Sequence, residues 1–289
     1  MASRPIEEQA LREFLDSASS TPSALLVDGE AGIGKTTLWL AGLEQARGRG
    51  FRVLSARVAN AQSVLAYASL ADLLEGTPAF TWADLPDPQR IAVDRVLLRE
   101  QAAVTDRRAL AAAFLSVIER LSDHGPFLLA IDDLQWLDPS SVHVIAFAAR
   151  RLSGPVGFLG TVRTEPDSGG ATSWLQLPRP DAIHRIAVHP LSSRALHTVV
   201  RDELGHPVPR AAMTRIQQIS AETRSMPSNW PAPSLRASMR YCLAHWLSWS
   251  GPGSAALIPR PMTCCLPPPA WPRRPSSWSA KPPPPTMTG

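Results

Sequence analysis

Gly29-Glu30-Ala31-Gly32-Ile33-Gly34-Lys35-Thr36 places glycines, a lysine and a hydroxyl residue at the spacing G-x-x-x-x-G-K-[ST]. Glycines let a backbone wrap tightly enough for several N–H groups to face inward on phosphate oxygens. The segment follows the apolar run Ala24-Leu25-Leu26-Val27 and opens a helical pattern. The partial positive charge of a helix N-terminus therefore adds to the cradle. Lys35 is placed to reach the β- and γ-phosphates of a nucleoside triphosphate, and the Thr36 hydroxyl to ligate Mg²⁺. The phosphate-binding segment is expected to run from Gly29 through Thr37. Lys35 is also the only lysine in residues 1–221, where the other 21 basic residues are arginine. A compact ammonium, rather than a planar fork, stands where phosphates call for one.

Acidic residues form the second constellation. Phe127-Leu128-Leu129-Ala130-Ile131-Asp132 is a buried-strand run that ends in a carboxylate and is followed directly by Asp133. Asp132 is expected to lie on a strand neighbouring that of the loop and to hold the metal, with Asp133 polarising an attacking water. Adjacent carboxylates repel each other, and a cation relieves that repulsion. Gly160-Thr161-Val162-Arg163-Thr164 ends a further strand, which brings Arg163 beside the acids and within reach of a γ-phosphate. The guanine-reading pattern N-K-x-D is absent, because neither asparagine, Asn60 or Asn229, precedes a lysine. ATP is therefore expected over GTP. The seven histidines show no metal-ligand spacing and are read as structural or exposed.

Alternating elements must carry these residues. Strand patterns fall at 24–28, 51–57, 127–132, 156–162 and, more weakly, 184–188. Helical patterns fall at 36–47, 65–74, 89–101, 107–122, 139–152, 192–204 and 209–219, with Asp138 as N-cap and Pro139 in the first turn of the fifth. Strands alternating with helices predict an α/β fold of the P-loop kind, a parallel sheet covered by helices on both faces. The domain is expected to span 1–204, with 205–221 beginning a helical lid.

The chain has 289 residues and no run of 18 apolar ones, which excludes a spanning helix. Its first residues carry charges where a secretory leader needs an apolar stretch, so a cytoplasmic location and no membrane partner are expected. Composition changes near residue 221. Residues 222–289 hold 15 of the 29 prolines, five of the nine tryptophans and all three cysteines, with seven basic residues against Glu222 as the one acid. Residues 1–221 thus carry 22 basic and 24 acidic residues. The pI near 9.4 comes from the tail and implies no nucleic-acid groove. Pro267-Pro268-Pro269 and Pro282 to Pro285 cannot sustain helix or inner strand, so a largely disordered tail is expected.

Together LLVDGEAGIGKTTLW, GFRVLSARVANAQSVLAYASLADLL, FLLAIDDLQWLDPSS, GFLGTVRTEP and LSSRALHTVVRDELG resemble the ATPase domain of the large LuxR-type transcriptional regulators, among the signal-transduction ATPases related to AAA and Orc1-like proteins. The resemblance covers about residues 1–221. It implies an ATP-driven switch whose ADP and ATP states control self-association and a C-terminal helix-turn-helix. Carried over, Lys35 and Thr36 are the Walker A pair, Asp132 and Asp133 the Walker B acids, and Arg163 the sensor arginine. Ser3-Arg4-Pro5 stands where the family opens with glycine-arginine-glutamate.

The family would continue past residue 221 with a glycine-asparagine-proline-phenylalanine helix start, whereas this chain reads ETRSMPSNWP. Back-translated with G/C-favouring codons and shifted by one nucleotide, that segment reads GNPFYALELA. Residues from about 222 are accordingly expected to be out of frame. The chain is read as a truncated regulator, an ATP·Mg²⁺-binding switch with slow hydrolysis at most. No helix-turn-helix is legible in it, so no sequence-specific DNA binding is expected. The alternatives are a free-standing ATPase or small-molecule kinase, and a non-functional remnant of a broken gene.

Overall fold

The computed structural model describes residues 4–201 apart from 76, 79, 99–105, 165–171, 193–194, 196–197 and 199–200. The chain divides into two units, Met1–Trp230 and Pro231–Gly289, and the described residues fall in the first. The helices expected over 192–204 and 209–219 lie largely or wholly outside the described residues. The lid and the proline-rich tail lie outside them entirely.

Five apolar runs become strands: β1 (Ser23–Gly29), β2 (Arg52–Arg57), β3 (Phe127–Asp132), β4 (Val156–Arg163) and β5 (Ile183–Ala187). They pair in parallel in the order β2-β3-β4-β1-β5. Successive residues of a strand point to opposite faces, and both faces here are apolar. Leu25 and Val27 of β1, Leu128 and Ala130 of β3 and Leu159 of β4 point to one side. There they pack on Leu11, Phe14 and Leu15 of α1 (Pro5–Ala18) and on Leu38, Trp39 and Leu43 of α2 (Lys35–Gly48).

Leu26, Phe127, Leu129, Ile131 and Phe158 point to the other side. That face is covered by α3 (Ala68–Leu74), α5 (Asp87–Val96), α6 (Arg107–Ser122) and α7 (Pro139–Ala149), with the short α4 (Phe80–Ala83) packed against α6. Each fully buried Leu or Phe contributes about 1.5–3 kcal/mol, so the two faces together hold the sheet that carries the site.

The α/β fold with helices on both faces is the predicted one, but α5 runs from Asp87 and ends at Val96 with Leu97 as C-cap, short of the expected 101, and the short α4 falls in a stretch expected to be irregular. Three further local differences have identifiable causes. First, α1 is a helix outside the helical patterns given above, although Leu11, Phe14, Leu15 and Ala18 recur at helical spacing and are all buried. Second, α3 begins at Ala68 rather than at 65. Tyr67 takes a left-handed conformation (φ 63°) and donates its N–H to Asp138 Oδ1 at 2.8 Å instead of entering the helix. Third, α7 ends at Ala149, short of 152, with Arg150 as C-cap. Its N-cap is Asp138 as expected, accepting from Ser141 N at 2.9 Å.

Candidate functional site

The loop after β1 is shaped by glycine. Gly32 and Gly34 have φ of 73° and 104°, a region in which a β-carbon is strained. Gly34 then caps α2 at its N-terminus, and Lys35 is the first helical residue. The motif residues therefore occupy a strand–loop–helix junction, as the spacing requires. Ile33 turns its side chain into the core beside α1 and α2 and is 6% exposed, while Glu30 and Thr37 face solvent. Lys35 is 6% exposed, and its Nζ donates to the Gly29 and Glu30 carbonyls at 2.8 Å each. Burial pushes the Lys35 ammonium below its ordinary value, with Arg163 acting in the same direction. Asp133, Asp132 and Asp28 oppose that shift.

Thr36 Oγ1 donates to Asp132 Oδ2 at 2.9 Å across 96 positions of sequence. The fold thus joins the loop to the acidic strand. The acid does not come from the strand beside β1, however. β4 lies between β1 and β3 and pairs with both, with Arg163 opposite Gly29 and Gly160 opposite Ile131. Three consecutive strand ends, β3, β4 and β1, therefore line one edge. Arg163, expected beside the acids, lies beside the loop strand as well. Its Nε is 3.6 Å from Asp133 Oδ1, and its guanidinium lies 5.7 Å from the Trp136 ring centre.

Asp132 is 2% exposed. Its Oδ1 accepts from Thr161 Oγ1 at 2.6 Å, and the same threonine oxygen accepts from the Asp133 N–H at 2.8 Å. Asp133 takes a left-handed conformation (φ 63°) as the chain enters the 3₁₀ turn Leu134–Trp136, and its side chain makes no cap bond there. Its Oδ1 instead accepts from Gln135 Nε2 at 2.8 Å, while Gln135 Oε1 accepts from the Arg163 N–H at 3.2 Å. Arg57, exposed at the end of β2, brings Nε within 3.6 Å of Asp132 Oδ2.

Sequence reasoning gave Thr161, Gln135 and Arg57 no role. Thr161 had a readable signal, a polar residue inside an apolar strand two positions before its last residue. Gln135 and Arg57 had none, since only the fold brings them to the acids. Arg4, noted for its place in the opening signature, donates to Ile33 O at 2.8 Å and so touches the loop itself.

The site suits a hard divalent cation. Thr36 Oγ1 and Asp132 Oδ2 are oxygen donors 2.9 Å apart, the donor type that Mg²⁺ takes. Among the described residues no three His, Cys, Asp or Glu side chains are grouped to hold a metal. A Mg²⁺ ion here would therefore draw its remaining oxygens from nucleotide and water.

A glycine-rich loop running from the first strand into a helix, with its threonine bonded to a carboxylate two strands away, defines the class as a P-loop nucleoside triphosphatase. Within that class the chain belongs to the AAA ATPase domain family, which matches residues 4–159. No curated protein matches the sequence. Among solved structures, the chain is similar to the Aeropyrum pernix ORC1 protein in complex with DNA, at 17% identity and a TM-score of 0.49, over 86% of this chain and 61% of that one. It is similar to the Aeropyrum pernix ORC2 protein in its ADP form at 15% identity and a TM-score of 0.49, over 86% and 65%. It is also similar to AMPPCP-bound DnaA from Aquifex aeolicus at 15% identity and a TM-score of 0.44, over 73% and 55%. The chain spans less than two thirds of the length of each. Among the described residues no helix is long and apolar enough to cross a membrane.

Proposed function

We propose that this chain binds ATP with Mg²⁺ at the loop Gly29–Thr37 and serves as a slowly hydrolysing regulatory switch of the kind found in LuxR-type regulators. The observation that carries the reading is the Thr36–Asp132 hydrogen bond, which brings the loop hydroxyl and the strand-end acid into one site. In this reading Thr36 and Asp132 would hold a Mg²⁺ ion, which would supply charge neutralisation to the phosphates. Lys35 exchanges its two carbonyl partners for phosphate oxygens. Asp133, held by Gln135 and facing Arg163, orients the attacking water, and Arg163 reports the presence of a γ-phosphate. ADP occupies the same loop after hydrolysis, and the difference between the two states is the switch signal, read out as self-association.

Lys35→Ala tests the reading directly. Loss of a charged hydrogen-bonding partner of the phosphates costs about 3 kcal/mol, so the dissociation constants for ATP and ADP are expected to rise roughly a hundredfold. An unchanged affinity, measured by calorimetric titration, would remove the loop from the site. Multiple turnovers per second on ATP alone would argue for a dedicated hydrolase in place of a switch.

A further inference from the structure

The guanidinium of Arg4 joins three stretches of chain. Nη2 donates to the Ile33 carbonyl at 2.8 Å, and Nη1 donates to the His189 carbonyl at 2.9 Å and to Glu7 Oε1 at 3.0 Å. Its side chain is only 12% exposed; the bonds to Ile33 and Glu7 are partly buried, and that to His189 is exposed. Ile33 is the loop residue just before Gly34, and its own side chain is fixed in the core beside α1 and α2.

The peptide unit between Ile33 and Gly34 is where this contact acts. In a planar trans peptide the C=O and the following N–H point in opposite directions. A carbonyl drawn outward to Arg4 therefore turns the Gly34 N–H to the other side, into the loop. Nothing in Gly34 itself enforces that choice, because a residue without a β-carbon lets the peptide plane before it rotate at little cost. A flipped plane would present a carbonyl oxygen, the wrong charge, to a phosphate.

We propose that Arg4 is a positioning residue of the phosphate site: by holding the Ile33 carbonyl outward it aims the Gly34 N–H at bound polyphosphate. This rests on the reading that the loop binds phosphates. The inference gives Arg4 a role toward the phosphates rather than toward the base or sugar of the nucleotide. The recognised chemistry is a polyphosphate anion, with or without a nucleoside attached.

The test compares ATP with inorganic tripolyphosphate, each with Mg²⁺, on the full chain by calorimetric titration. Arg4→Gln is expected to weaken both ligands by a similar factor, about tenfold, the order expected for one hydrogen bond to a charged group. Arg4→Lys, which keeps a cationic donor, is expected to recover part of that loss. The Gly34 amide, followed by ¹⁵N NMR, is expected to change shift and exchange faster in Arg4→Gln, which loss of overall stability alone would not confine to that amide. Weakened ATP with unchanged tripolyphosphate overturns the proposal and assigns Arg4 to the nucleoside, and unchanged affinity for both overturns it outright. If Arg4→Gln fails to unfold cooperatively, Arg4→Met, which keeps the aliphatic stem but has no donor, carries the comparison, and a wild-type tripolyphosphate affinity there overturns the proposal. If the wild-type chain binds neither ligand, the phosphate-loop reading fails and this inference fails with it.

Discussion

Two aspartates show how differently a buried carboxylate can be used. Asp132 has each oxygen tied to a threonine, Thr36 on Oδ2 and Thr161 on Oδ1, so its orientation toward the loop is set by side chains from α2 and β4. Asp138 is fully buried and faces backbone. It accepts from the N–H groups of Ser141, Tyr67 and Ser69 at 2.9, 2.8 and 3.2 Å. Burial by itself raises its pKa, but the bonds from Ser141, Tyr67 and Ser69 outweigh that and hold it below 3.8. A depressed folded-state pKa means the stabilisation is complete above the unfolded value, near 3.9, and is lost as pH falls through the folded value. Wild-type stability is therefore expected to drop below about pH 3.8 with a contribution from Asp138. In Asp138→Asn that part of the slope should vanish, at a cost of about 1–3 kcal/mol near neutral pH. Urea midpoints measured from pH 2.5 to 7 decide it, and an identical slope in both proteins would exclude Asp138 as a contributor.

Elements meet the site through close approach as well as hydrogen bonding. The 3₁₀ turn Leu134–Trp136 carries Gln135 and follows Asp133, and it lies over β4 because Gly160 has no side chain. A β-carbon at residue 160 would come within 3.1 Å of Leu134 Cγ and closer still to its Cδ1. Leu134 is 2% exposed and has little room to yield. Gly160→Ala is expected to destabilise the protein by about 1–3 kcal/mol through overpacking. Leu134→Ala should relieve the clash, so a double-mutant cycle should show a favourable coupling of about 1 kcal/mol between the two sites. Additive effects would mean that the turn is held by something other than this contact. Element boundaries were legible where a cap and an apolar run agree, as at α6, where Asp106 accepts from Arg108 N at 2.8 Å, and at β3. They were not legible at α3, where the competing partner of Tyr67 lies 71 positions away.

At the scale of the whole molecule, binding at the loop should be visible as stability. The loop is bonded to Arg4 at the start of α1, to β3 through Thr36 and to the end of β1 through Lys35, so a ligand there engages contacts that exist only in the folded chain. ATP with Mg²⁺ at a hundred times its dissociation constant should add about 2.7 kcal/mol, which for a domain of this size raises the melting temperature by roughly 5–10 °C. Chelation of Mg²⁺ by EDTA should remove most of the ATP-dependent shift, since the proposed function has Thr36 and Asp132 hold the metal. A melting temperature indifferent to ATP and to chelator would count against the proposed function and favour a chain without a working site.

The sequence by itself determined the local chemistry. Eight residues specify a glycine loop with a lysine and a threonine at its helical end, and a strand run ending in two aspartates specifies where acids emerge. Both are short-range facts set by residue type and spacing. Only the tertiary structure decided that β4 stands between the loop strand and the acidic strand, that Thr161 and Gln135 hold the two acids, and that Arg4 reaches Ile33. The core runs of β1, β3 and β4 read alike, as apolar segments suited to burial on both faces. Their lateral order therefore depends on how the covering helices pack, which no local pattern records.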